Sequence, residues 1–274
     1  MIPDMTKLNY SRPFLKWAGG RNRLIPQYQD YIPQDYKNYY EPFLGGGAIF
    51  FYLQPQRAIL SDINPDLILT YQCVRDDLEE LIALLQQHQQ RHNAEYYYEV
   101  RNNHNGTDIE KAARFIYLNK TCFNGLYRVN SEGKFNVPMG KYKNPGICQA
   151  EILKLASQAL KTAEIKQAHF DEVLDYADIH DDFVYFDPPY YPVSKTSNFI
   201  AYSHLVFDEN QQIKLRDIFR ILVNRGVKVM LSNSDCAFIR DLYSDFNIHT
   251  ISAARAINSD PQKRGKITEL LITC

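Results

Sequence analysis

Apolar positions along this chain follow two periods, and the period changes more than once. Near the start, YYEPFLGGG (39–47) is a short apolar run ending in a glycine turn, followed by AIFFYLQ and then RAILSD (57–62). Short apolar runs closed by Gly, Pro or Asp predict buried strands, and AIFFYLQ between them predicts a helix. NPDLILTYQCV (64–74) predicts a second helix, because Asn64 can cap it and Pro65 suits its first turn. The helical period then persists: DDLEELIALLQQHQQRH (76–92) and IEKAARFIYLNK (109–120) carry apolar residues every third or fourth position. EYYYEVRNNHN, between them, takes no assignment. LYRVNSEGKFNV (126–137) predicts a hairpin turning at Asn-Ser-Glu-Gly. The strand period resumes at FVYF (183–186) and VKVMLSN (227–233), on either side of a helix at DENQQIKLRDIFRILVNRG (208–226) that glycine ends. CAFIRDLYSDF (236–246) predicts a short helix, and FNIHTIS and ITELLIT predict a closing strand pair.

Strand, glycine turn, helix, strand, helix is an α/β pattern. It is interrupted by a mainly helical stretch and then resumes. The expected division is 1–74 and 161–274 for the α/β domain, with 75–160 as an insert. There are no repeats and no low-complexity linker. The stretch from Tyr190 to Val206 predicts a long polar and aromatic loop, a kind that often serves a site.

Composition narrows the class. The chain has 274 residues, 45% hydrophobic and 23% charged, which suits a soluble globular protein with one large core and an insertion. No window approaches the length of a membrane span, and the N-terminus lacks the basic and apolar regions of a signal peptide. A cytoplasmic protein is expected. Cys73, Cys122, Cys148, Cys236 and Cys274 are scattered, and neither they nor the histidines show metal-ligand spacing. A reducing compartment and no metal follow.

Net charge is −1, which by itself argues against a nucleic-acid binder. The distribution says otherwise. Residues 101–146 hold eight basic residues against Asp108, Glu110 and Glu132, and Arg255, Lys263, Arg264 and Lys266 form a second cluster. Local charge steers a polyanion even when the total is near zero.

Two stretches carry candidate chemistry. Gly45, Gly46 and Gly47 leave a strand without side chains, which lets backbone approach a ligand. Asp62 ends the following strand, where a carboxylate can hold a ribose. FLKWAGGRNRL (14–24) adds a second glycine pair beside an indole. A nucleoside cofactor fits these, although GxGxxG is missing and no P-loop exists. The second stretch is YFDPPYYP (185–192). Asp187 ends a buried strand, and the prolines prevent its continuation. The Asp187 carboxylate and the Pro188 carbonyl could each accept one hydrogen of a flat aromatic amine, while Tyr190 stacks on its ring. Two acceptors would orient the nitrogen lone pair toward an electrophile. A plain strand-end turn with a surface tyrosine is the alternative.

DPPY at 187–190, with EPFLGGGAIF at 41–50, SDIN at 61–64 and FLKWAGG at 14–20, resembles an S-adenosylmethionine-dependent DNA adenine-N6 methyltransferase. More narrowly, the chain is similar to the Dam-type, alpha-class group of the D12 family, which methylates adenine in GATC. The resemblance covers roughly residues 12–272. It implies a Rossmann-like methyltransferase sheet with an inserted target-recognition domain, and it implies double-stranded DNA as partner.

By that resemblance, Trp17, Ala18, Gly19 and Arg21 lie by the cofactor, with Arg21 replacing the family's frequent lysine. Phe43 and Gly45–Gly47 shape its pocket, Asp62 holds the ribose, and Phe170 and Asp171 surround its adenine. Asp187, Pro188, Pro189 and Tyr190 form the catalytic corner, Asp187 also lying near the cofactor. NKTCFNGLYRVNSEGKFNVPMGKYK (119–143) matches the family's recognition hairpin. Arg128 would then read a guanine, Leu126 and Pro138 would touch thymine methyls or neighbouring bases, and Phe123 would wedge into the stack. Asn124 would fill the vacated space, Lys16 would touch the outer guanine, and Lys141 and Lys143 would meet phosphates. A monomer at the nucleoid is expected. A solitary enzyme and one accompanying a restriction endonuclease both fit. Three alternatives stand beside this reading: another target sequence or cytosine-N4 as acceptor, a catalytically silent DNA-binding protein, and a nucleotide-dependent oxidoreductase.

Overall fold

The computed structural model describes residues 11–17, 24–192, 207–254 and 266–274. Its strands are β1 (Asn38–Glu41), β2 (Ala58–Asp62), β3 (Ala163–Gln167), β4 (Asp182–Phe186), β5 (Lys228–Ser234), β6 (Asn247–Ala254) and β7 (Lys266–Thr273). Among the described residues they form one sheet in the order β3-β2-β1-β4-β5-β7-β6. The first five strands run parallel, and β7 lies antiparallel between β5 and β6.

Every residue of β4 is buried, as expected for a central parallel strand covered on both faces. The pleat sends alternate side chains to opposite layers. Phe183 and Tyr185 join the core on one face, while Val184 and Phe186 join the core on the other.

Short α1 (Ile25–Tyr28) and α2 (Ala48–Leu53) precede the long helices. α3 (Pro65–Asp76) begins as the sequence predicts: the Asn64 side chain accepts from the N–H groups of Asp66 and Leu67, and Pro65 occupies the first turn. α4 (Leu78–Arg91), α5 (Ala94–Asn102), α6 (Asp108–Thr121) and α7 (Ala150–Leu160) fill the stretch between β2 and β3. α8 (Glu209–Asn224) and α9 (Ala237–Leu242) cover the second face. Phe115, Ile116 and Tyr117 of α6 belong to the same core as Leu60 and Phe183 of the sheet, so the inserted helices pack into it continuously.

Four elements, α1, α5, α7 and β3, escaped the pattern of apolar positions. α5 is capped by Asn93, whose side chain accepts from Tyr96 N at 2.9 Å, and it buries Tyr96, Tyr97 and Val100. A run of three tyrosines hides that face, because tyrosine is at home both inside and outside. α7 and β3 follow the recognition segment without a break, and β3 is a half-exposed edge strand with alternating burial. The predicted hairpin at 126–137 is also looser than expected. Its turn forms, with Gly133 N donating to Asn130 O at 3.0 Å, but only isolated bridges, Val129 with Phe135 and Cys122 with Met139, connect its arms. The Asn130 side chain accepts from the backbone N–H groups of Glu132 and Lys134 in place of a longer ladder.

The order of strands reverses at β1, whose next strand in sequence, β2, lies on one side and β4 on the other. In an open parallel sheet, the crevice outside the carboxyl ends at this switch point is where ligands bind. Glu41, the glycine turn, Asp62 and Asp187 all stand at carboxyl ends of these strands.

Candidate functional site

The corner after β4 is held from several directions. Ser232 Oγ of β5 donates to Asp187 Oδ1 at 2.7 Å and lies 3.0 Å from the Tyr185 hydroxyl. The Tyr190 hydroxyl donates to Glu269 Oε2 of β7 at 2.8 Å. Between these, two wholly buried amides grip the backbone. Gln212 Nε2 donates to Pro189 O at 3.0 Å, Asn233 Nδ2 donates to Gln212 Oε1 at 2.9 Å, and Tyr191 N donates to Asn233 Oδ1 at 3.2 Å. The peptide groups on both sides of Tyr190 are therefore fixed by α8 and β5, and the prolines remove the remaining slack. Tyr191 packs against Phe238, with ring centroids 4.5 Å apart, so it serves the corner from outside.

The glycine turn after β1 is equally determined. Gly45 and Gly47 take φ of +46° and +64°, which L side chains rarely adopt. A Cβ on Gly45 would stand 2.7 Å from Cδ1 of Trp17, so the indole covers this turn closely. Gly45 N donates to Asp62 Oδ2 at 3.0 Å, and Asn64 N donates to Oδ1 at 3.0 Å. Burial pushes the Asp62 carboxyl up, and these N–H groups work against that shift. The carboxylate holds the turn; since each carboxylate oxygen accepts more than one bond, it also retains acceptor capacity for hydroxyls.

Farther along the crevice, Phe43 stacks on Phe170 with centroids 5.2 Å apart, and Phe207 meets both edge-on at 5.6 Å. Asp171 is bound by His169 Nδ1 at 2.5 Å and by Lys214. Burial opposes its charge, but Lys214 and His169 outweigh burial and hold the carboxyl below its ordinary range. Sequence reasoning passed over Phe207 and Glu41, the acid of EPFLGGG. Glu41 is buried, accepts from the Tyr39 hydroxyl at 2.8 Å and from Phe50 N at 3.2 Å, and is pushed up to about 8 by burial and by the charge of Asp187. It also passed over Ser232 and Asn233, although polar residues ending the buried run VKVMLSN were a visible signal.

Residues 119–143, the predicted recognition segment, present apolar groups to solvent. Phe123 is 50% exposed and Leu126 41% exposed, which rules out their serving as the hairpin's core. Asn124 sits between them at φ +55°, exposed like Pro138, Lys141 and Lys143. Phe123 N donates to Pro138 O at 2.9 Å, joining the two arms. Arg128 Nε donates to Asn136 Oδ1 at 2.7 Å, which orients the guanidinium. Lys16 Nζ lies 3.8 Å above the Tyr142 ring and donates to Lys120 O at 3.1 Å. Trp17 stacks on Tyr127 at 5.9 Å, so one indole touches both the glycine turn and the recognition segment. Ala18, Gly19, Arg21, residues 193–206 of the predicted loop and the basic residues Arg255, Lys263 and Arg264 lie outside the described residues. Among the described residues no group of His, Cys, Asp and Glu could hold a metal ion, and no helix is long and apolar enough to cross a membrane.

Comparison with known proteins gives this geometry a context. The family model for the D12 class N6 adenine-specific DNA methyltransferases matches residues 17–257. Type II methyltransferase M1.LlaDCHI of Lactococcus lactis subsp. cremoris is 45% identical over 270 residues, 96% of this chain and 95% of that one. Type II methyltransferase M.MjaIII of Methanocaldococcus jannaschii is 43% identical over 95% of this chain and 98% of its own length. The DNA adenine methylase of Escherichia coli K12 is 36% identical over 95% of this chain and 94% of its own.

Proposed function

We propose that this chain, which belongs to the D12 class of N6 adenine-specific DNA methyltransferases, methylates the adenine of GATC in double-stranded DNA. S-adenosylmethionine supplies the electrophilic methyl group. The residues present fit it: the glycine turn at the switch point carries no side chains of its own, Trp17 packs against it, and Asp62, which accepts from Gly45 N, keeps acceptor capacity for hydroxyls. In this reading Trp17 and the glycine turn hold the methionine end, Asp62 the ribose, and Phe43 and Phe170 the adenine ring, with Asp171 beside them. Ala18, Gly19 and Arg21 complete the near side. Residues 75–160 act as the target-recognition domain, and the remainder as the catalytic one.

An amine inside B-form DNA cannot reach the carboxyl end of β4, so the target base must leave the stack at a cost of a few kcal/mol. The exposed Phe123 can wedge into the stack and Asn124 can fill the gap, Leu126 and Pro138 can meet thymine methyls or neighbouring bases, and phosphate contacts from Lys141 and Lys143 add affinity. Arg128, oriented by Asn136, suits the O6 and N7 of guanine, and Lys16 suits the outer guanine. Once the adenine is in the corner, the Asp187 carboxylate and the Pro188 carbonyl each accept one amine hydrogen, and Tyr190 stacks on the ring. A carboxylate is too weak a base to deprotonate an aromatic amine beforehand. Asp187 therefore aligns the nitrogen lone pair and stabilises the positive charge that develops there; the proton leaves afterwards. The enzyme works as a monomer, alone or beside a restriction endonuclease.

The observation that carries this reading is the corner itself. Asp187 stands at the switch point beside the indole-covered glycine turn, and the residues around Tyr190 are locked by Gln212, Asn233 and Glu269. Transfer of labelled methyl to short duplexes tests it. A duplex with one GATC should be methylated on adenine, and duplexes with any base pair of the site changed should lose most of the rate. Equal rates on all of them would contradict it.

A further inference from the structure

Asn119 lies near the end of α6 and is 4% exposed. Its side chain spends itself on the backbone of two other segments. Lys16 N donates to Asn119 Oδ1 at 2.8 Å, and Asn119 Nδ2 donates to Lys16 O at 2.6 Å. The same Nδ2 donates to Gly125 O at 3.4 Å. One amide thus takes both backbone hydrogen-bonding groups of Lys16 and reaches the turn between Asn124 and Leu126. The contact is close elsewhere too. Gly125 takes φ of +63°, and a Cβ there would stand 2.5 Å from Lys16 Cβ. Lys16 Nζ adds a bond to Lys120 O, the residue after Asn119.

The residue after Lys16 is Trp17, which covers the glycine turn; the residues around Gly125 are Phe123, Asn124 and Leu126, which face outward. We infer that Asn119 is a positioning residue that sets the recognition loop in register with the cofactor-side segment, and so couples occupancy of the cofactor site to discrimination of the target sequence. This rests on the proposed function above. A ligand against Trp17 fixes Lys16; through the Asn119 amide that fixes Gly125, and with it the angle at which Phe123 and Leu126 meet the duplex. Without the amide, the two segments keep their own contacts but lose a common reference. Coupling of this kind is reciprocal, so target DNA must strengthen cofactor binding by the same factor.

The test uses the full chain and S-adenosylhomocysteine, which binds without turnover. Its Kd is measured by calorimetry alone, with a duplex containing the target sequence, and with a duplex of the same composition lacking it. In the unaltered protein the target duplex should tighten S-adenosylhomocysteine by about tenfold more than the control duplex, within the usual range of allosteric coupling. Asn119→Ala should bring that ratio to within about twofold of one, with Kd for each ligand alone changed far less. Asn119→Asp keeps an acceptor for Lys16 N and loses both donated bonds, so its ratio should fall between. If Asn119→Ala does not fold, Asn119→Asp decides alone. An unaltered ratio in these variants, or a ratio of one in the unaltered protein, overturns the inference. A protein that methylates a sequence other than GATC overturns the GATC reading only; the coupling is then measured with that sequence.

Discussion

Single side chains at the corner carry the sharpest consequences. Asp187→Ala and Tyr190→Ala should lower turnover by a factor on the order of 10² to 10³ or more, because in the proposed function each removes a group that meets the amine or its ring. Both should leave much of the DNA affinity, which the proposed function assigns to phosphate contacts and residues 119–143. Single-turnover rates beside gel-shift affinities separate the two, and normal turnover in Asp187→Ala would remove the amine clamp from the account. Arg128→Ala should cost about 1–3 kcal/mol of discrimination at one base pair while activity on the preferred site persists. Rates on duplexes substituted at each position in turn would reveal which pair is affected, and an unchanged ranking would mean that Arg128 reads no base. Glu41 makes a prediction of another kind. Its folded-state carboxyl holds its proton to about pH 8, against 4.5 when exposed. In that window the folded state binds more protons than the unfolded state, so this group's contribution makes stability fall as pH rises from 4.5 to about 8. Glu41→Gln keeps an acceptor for Tyr39 and Phe50 and cannot ionise. Its melting temperature should therefore decline less over that window than the unaltered protein's, and parallel profiles would contradict the burial argument.

Elements decide whether those side chains meet. The buried pair of amides from α8 and β5 fixes the peptide groups around Tyr190. Gln212→Leu should therefore lower kcat with the Kd for DNA and for cofactor nearly unchanged, and an equal loss in all three would point to general misfolding instead. These contacts explain why the sequence was informative in one respect and silent in another. Asn64-Pro65 announces the start of α3, and DPPY announces a corner, because both work through neighbours in the chain. Gln212 lies 23 residues from its partner Pro189, and Asn119 lies 103 from Lys16. An amide within a helix has the same local pattern whether it faces water or a distant backbone, so no reading of spacing could single these out. The recognition segment misled in a third way. Its alternating residues predict strands, yet the Asn130 side chain takes the backbone N–H groups of Glu132 and Lys134, leaving a turn whose arms carry outward-facing Phe123 and Leu126.

At the scale of the whole molecule, a net charge of −1 coexists with a recognition segment of opposite sign. The affinity for DNA should therefore fall steeply with salt although the protein as a whole is nearly neutral. Lys141→Ala and Lys143→Ala together should weaken binding about equally on target and control duplexes, and reduce the slope of log K against log salt by about 2. An unchanged slope would place the phosphate contacts elsewhere. The switch point between β1 and β4 unites the glycine turn, Asp62 and Asp187, and the inserted helices share the sheet's core, so the crevice and the recognition segment form one packed body. The most direct test of what that body does is base-resolution mapping of modified bases in plasmid DNA after incubation with the protein and S-adenosylmethionine. The expected result is N6-methyladenine at GATC on both strands and background elsewhere. Modification confined to another sequence, or to cytosine, would contradict the account.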